Sequence, residues 1–165
     1  MSSVIGYMLV SFLLDGIVSM IIPLNSLFRP LFSFLGIFLI YPFYYYQQRN
    51  YFVTIFLFGL FYDIVYTNTL FFHALLNLFF GFLILLWNRR FRIGIGTILW
   101  AGPLLIFLYR LFSYLLLLFL QQLSFDPSYF FHIVVSSFVA NILYLYAGYF
   151  CLEYLSKRKK IHKIS

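Results

Sequence analysis

Asp63, His73 and Asn77 are the side chains of this sequence whose types and spacing suit joint chemistry. A carboxylate beside an imidazole can pass a proton or grip a ligand, and an amide one helical turn further on can orient it. Gly59 stands four residues before Asp63 and Gly81 four after Asn77, so each polar group shares a helix face with a glycine, where a neighbouring backbone can approach closely. Asp15 and Arg110 lie inside other apolar runs. As a pair they would neutralise both charges in low dielectric and act as an internal clamp, although Asp63 is an equal candidate partner for Arg110. Against a chemical role stands a structural one, a hydrogen-bond seam that locks a hairpin or docks a partner helix. Two or three convergent polar groups are few for a catalytic or transport cavity.

The chain that carries these groups is 64% hydrophobic and 9% charged, with a mean hydropathy of +0.98. A soluble domain of this size could not hide so much apolar surface, whereas in lipid the difficulty vanishes once each backbone group is satisfied internally. The apolar runs are continuous and lack the alternation of a barrel strand, which predicts helices. Five short polar breaks delimit six spans, at about Ile5–Ile22, Leu31–Tyr46, Tyr51–Tyr66, Leu70–Trp87, Ile93–Leu120 and Tyr129–Leu155. The predicted fold class is an all-α integral membrane protein, with one six-helix domain over residues 1–155 and a basic tail over 156–165.

The second and third spans are short: sixteen residues reach only about 24 Å against a hydrocarbon core of roughly 30 Å. They must stand upright, thin the bilayer or pack inside the bundle. The last two spans are longer than crossing requires. Gly102-Pro103 predicts a bend in the fifth, and Gly94 with Gly96 suggests that Arg89–Gly96 lies partly along the surface. Tyr41, Tyr44, Tyr45, Tyr46 and Tyr51 suit an interfacial aromatic belt. The first run is expected to remain as a helix, because Met1–Ser3 lack positive charge and no small-x-small cleavage site follows.

Positive charge alternates between the breaks. Arg49, Arg89, Arg90, Arg92 and the tail residues Lys157, Arg158, Lys159, Lys160 and Lys163 fall on one side, and Arg29 on the other. This predicts a multi-pass protein of the cytoplasmic membrane with both termini in the cytoplasm. The net charge of +7 then points to anionic inner-leaflet lipid, not to nucleic acid. Cys151 is the only cysteine, which excludes an intrachain disulfide and a cysteine metal cluster. With four carboxylates in all, a di-metal or two-carboxylate centre is hard to build, and no P-loop, HExxH or Gly-x-Ser-x-Gly elbow occurs. Neither a cofactor nor enzyme activity is expected. Asp15-Gly16-Ile17-Val18 and Asp63-Ile64-Val65 form a faint internal echo, each Asp toward the same end of its span.

A small six-span chain with a basic tail and Gly59-Leu60-Phe61-Tyr62-Asp63 in its third span, followed by a short turn and His73-Ala74-Leu75, resembles the bacterial rod shape-determining MreD family. The turn departs from the family pattern, because Thr67-Asn68-Thr69-Leu70 has no glycine. The resemblance implies a non-enzymatic part of the cell-elongation complex, binding a bitopic MreC-like protein and helping to organise the peptidoglycan synthases, a glycosyltransferase and a penicillin-binding protein. It also implies a fold similar to the S components of energy-coupling-factor transporters. That likeness carries the alternative function, binding a small solute such as a vitamin for uptake. Against it, the first span is too bulky around Leu9–Gly16 for a small-x-x-x-small docking face. A homodimer is left open.

Overall fold

The computed structural model describes residues 2–21, 30–67, 71–90 and 94–159. Six α-helices follow one another: α1 (Ser2–Ile21), α2 (Phe32–Ile40), α3 (Gln48–Tyr62), α4 (Phe72–Arg90), α5 (Ile95–Phe119) and α6 (Pro127–Lys159). A 3₁₀ turn over Tyr41–Phe43 closes α2, and a π-helical turn over Asp63–Thr67 closes α3. No strand occurs among the described residues. Four stretches are long and apolar enough to cross a membrane: Val4–Ile21, Gln48–Thr67, Ile95–Phe119 and Pro127–Lys157. The apolar helices Phe32–Phe43 and Phe72–Asn88 are shorter.

The helices pair as three sequential hairpins, α1 with α2, α3 with α4 and α5 with α6, and α2 also touches α4 and α6. That central position explains its shortness. Its nine residues, Phe32 to Ile40, are all buried, so α2 meets protein instead of lipid and need not match the hydrocarbon thickness. The third span is not short: α3 begins at Gln48 and its π turn carries helical backbone to Thr67. At 33 residues α6 is about 50 Å long, well beyond a hydrocarbon core.

A further expectation changes. Tyr41, Tyr44 and Tyr51 are buried in the core, and only Tyr45 and Tyr46 are exposed. Tyr51 donates its hydroxyl to the Ile37 carbonyl at 3.2 Å and meets Tyr41 edge-on, so these rings close the space below the short central helix. Arg89 and Arg90 belong to the last turn of α4 and α5 starts at Ile95, while Phe91, Arg92 and Ile93 between them lie outside the described residues. Pro103 sits inside α5, which runs uninterrupted from Ile95 to Phe119, with Gly102 against Leu145 of α6.

Two helix junctions place non-glycine residues in the left-handed conformation. α5 ends in a Schellman arrangement: Gln122 N–H donates to the Leu117 carbonyl and Gln121 N–H to that of Leu118, both at 3.0 Å. Gln121 takes the left-handed conformation there, with φ 56°. Phe71, at the entrance of α4, does the same with φ 65°, while Asn68, Thr69 and Leu70 lie outside the described residues. Asp126 then caps α6. Its carboxylate accepts Ser128 N–H at 2.9 Å and Tyr129 N–H at 3.2 Å, with Pro127 as the first helical residue. Tyr114 of α5 holds this cap from behind, donating to the Asp126 carbonyl at 3.0 Å and accepting its N–H at 2.8 Å. Tyr114→Phe is expected to cost about 1–2 kcal/mol, the size of two net hydrogen bonds, as a lowered melting temperature of the purified protein.

Candidate functional site

Three of the four carboxylates gather toward one end of the bundle, where each serves the N-terminus of an even-numbered helix. An N-terminus exposes unpaired amides and partial positive charge, so a carboxylate there satisfies donors and the helix dipole together. Asp126 does this for α6. Asp63, at the end of α3, reaches across the turn to α4. One oxygen accepts His73 N–H at 2.9 Å, the other Ala74 N–H at 3.2 Å, and His73 Nδ1 lies 2.8 Å from the first. Thr67 Oγ1 donates weakly to the same carboxylate, at 3.4 Å. Asp63 is fully buried.

Asp15 repeats the pattern for α2, accepting Phe32 N–H at 2.8 Å and Ser33 N–H at 2.7 Å. The preceding amide, of Leu31, donates to Asn141 Oδ1 of α6 at 2.7 Å. Three consecutive orphan amides of the buried helix are thus satisfied by side chains from two others. The echo between Asp15-Gly16-Ile17-Val18 and Asp63-Ile64-Val65 therefore has a physical counterpart, since each Asp caps the helix that follows it.

Among the described residues Asp15 and Arg110, the possible internal clamp, form no direct ion pair. Arg110 Nε donates to Ser137 Oγ of α6 at 2.7 Å, and Asn141 Nδ2 donates to the Ser137 carbonyl at 2.5 Å. Arg110 and Asp15 are joined indirectly, through Ser137, Asn141 and the start of α2. Among the described residues the ion pairs are His73 with Asp63 at 2.8 Å and Lys157 with Glu153 at 3.0 Å.

Gly59 and Gly81 are contact points between α3 and α4. A Cβ at Gly59 would lie 2.5 Å from Ala74 Cα and 3.0 Å from Asn77 Nδ2, so the backbones all but touch beside the cap. At Gly81 a Cβ would meet the tip of Ile55. Asn77 and His73 face inward from the same stripe of α4, as their spacing predicted.

What spacing could not show is the cavity they face. Asp15, His73, Asn77 and Arg110 line a 230 Å³ space together with Ser33, Tyr62, Thr67, Tyr109 and Ser113. Five helices supply these groups, so polar residues that look isolated in the sequence converge in three dimensions. Sequence reasoning passed over Ser137 and Asn141, whose i, i+4 spacing in an apolar run was the available signal. Ser33, Tyr62 and Tyr109 carried none, each standing as a single hydroxyl in a Leu- and Phe-rich run. Asp63 adjoins the cavity through His73 and Thr67. Among the described residues no group of three His, Cys, Asp or Glu side chains could hold a metal ion.

Arg49, Arg90 and Lys157 lie at the opposite end, at the start of α3 and the ends of α4 and α6. Arg29, Arg92, Lys160 and Lys163 lie outside the described residues. The family model described as rod shape-determining protein MreD matches residues 1–153 of the chain. No curated protein and no solved structure matches it.

Proposed function

Because the chain belongs to the MreD family of rod shape-determining proteins, we propose that it acts as a non-enzymatic assembly factor of the bacterial cell-elongation complex. It lies in the cytoplasmic membrane as a multi-pass protein, binds an MreC-like bitopic partner and helps to organise the glycosyltransferase and penicillin-binding protein that build the wall. The family match over residues 1–153 carries this reading, since it takes in every helix but the last turns of α6.

The chemistry supports it. Asp15, Asp63 and Asp126 are engaged by helix amides and Glu153 by Lys157, so the carboxylates do structural work. Orientation follows from charge: the end bearing Arg49, Arg90 and Lys157 faces the cytoplasm and its anionic lipid, and the three aspartates lie toward the outside. Purification from native membranes in mild detergent should recover a bitopic shape protein and the synthases. Recovery of an ATP-driven transporter core in their place would reject the assembly role and favour solute uptake.

A further inference from the structure

Helices α4 and α5 are consecutive in the chain, yet they stand apart where they approach the aspartate end. Phe72, Leu75 and Phe79 of α4 and Phe112, Leu116 and Phe119 of α5 line an apolar groove of 760 Å³ between them. Its walls are lipid-exposed: Leu75 is 61% and Phe119 84% exposed. The polar cavity lies directly behind. Phe72 belongs to both walls, and on α5 Ser113 and Leu117 face the cavity while their neighbours Phe112 and Leu116 face the groove. A polar inner chamber and an apolar outer groove thus adjoin at Phe72.

Full charges of both signs line or adjoin the inner chamber. Asp15 and Asp63 are each held, and partly offset, by the amides and partial positive charge of a helix N-terminus, and the His73 ring lies against Asp63. Among the described residues Arg110 is the full cation in the wall, accompanied by Ser113, Tyr62, Tyr109 and Asn77 as hydrogen-bonding groups. A volume of 230 Å³ leaves room for a small oxyanion head group. The guanidinium is suited to phosphate oxygens through charge-assisted bonds.

We infer that the α4–α5 cleft binds a lipid with a phosphate head group, its phosphate in the chamber with Arg110 and a hydrocarbon chain in the groove of Phe79, Phe112 and Leu116. A free anion would leave the groove unused, and a neutral hydrocarbon would offer nothing to Arg110. The site stands independently of the assembly role, so loss of partner recovery leaves it untouched.

Native mass spectrometry of the detergent-purified chain tests it, with dioleoyl phosphatidic acid, dioleoylglycerol and inorganic phosphate as probes. Phosphatidic acid should bind at least about tenfold more tightly than dioleoylglycerol, the scale of one charge-assisted contact. Arg110→Gln should remove most of that preference. Ser113→Asp, on the half-buried cavity wall, should do the same with Arg110 intact, which covers the case in which Arg110→Gln fails to fold. Equal binding of dioleoylglycerol, unchanged binding by Ser113→Asp, or no lipid retained at all would overturn the inference. So would full displacement by millimolar inorganic phosphate, which would mark a site for a free solute.

Discussion

Replacing Asp63 by leucine should lower the stability of the purified protein by about 3–5 kcal/mol, read as a large fall in melting temperature or in resistance to denaturing detergent. The change removes acceptors from His73 N–H, Ala74 N–H and the His73 ring at once and leaves those donors where water is scarce. It also removes the negative charge that complements the α4 dipole. Asp63→Asn keeps the shape and one good acceptor, so about 1–2 kcal/mol is expected. His73→Phe, which removes a single side-chain contact and leaves both backbone bonds, should cost less than Asp63→Leu. An Asp63→Leu protein as stable as the parent would show that the cap contributes nothing.

Gly59→Val should be comparably harmful, at about 3 kcal/mol or more. The atoms a new Cβ would meet are Ala74 Cα at 2.5 Å and Ala74 N at 2.8 Å, and backbone cannot swing aside as a side chain can. Relief requires α3 and α4 to separate, which pulls Asp63 away from the amides it caps. Gly81→Ala lies on the facing stripe of α4 and is the internal control. There the obstacle is the terminal methyl of Ile55, which can rotate, so a cost below about 1 kcal/mol is expected. A common melting assay ranks the variants. Equal losses at the two glycines would mean that the α3–α4 contact is looser than the geometry indicates.

These predictions converge on one hairpin because the polar seam between Asp63 and His73 is local. Only a short turn separates the two helices, so spacing alone places an aspartate beside the imidazole and a glycine beneath it. Asp15 shows the opposite case. Its intramembrane position announced a partner, and Arg110 was the natural candidate by charge. The partner proved to be the backbone of α2, because a buried helix start has amides that must be satisfied and a carboxylate satisfies two together. Arg110 turned instead to Ser137 on the helix paired with its own.

Hydropathy, the spacing of polar breaks and the i, i+4 stripes by themselves determined six helices, a membrane setting and the Asp63–His73–Asn77 seam with its two glycines. Each of these depends on neighbours within a few turns of one another, where helical period and turn length leave little freedom. Only the tertiary structure decided that α2 is a short central helix, that Tyr41, Tyr44 and Tyr51 are core residues, and that Asn141 and Asp15 share the start of α2. The cavity belongs to the same class. Its walls come from five helices, and which faces of those helices meet is set by side-chain packing across the bundle, a long-range outcome that no local pattern encodes.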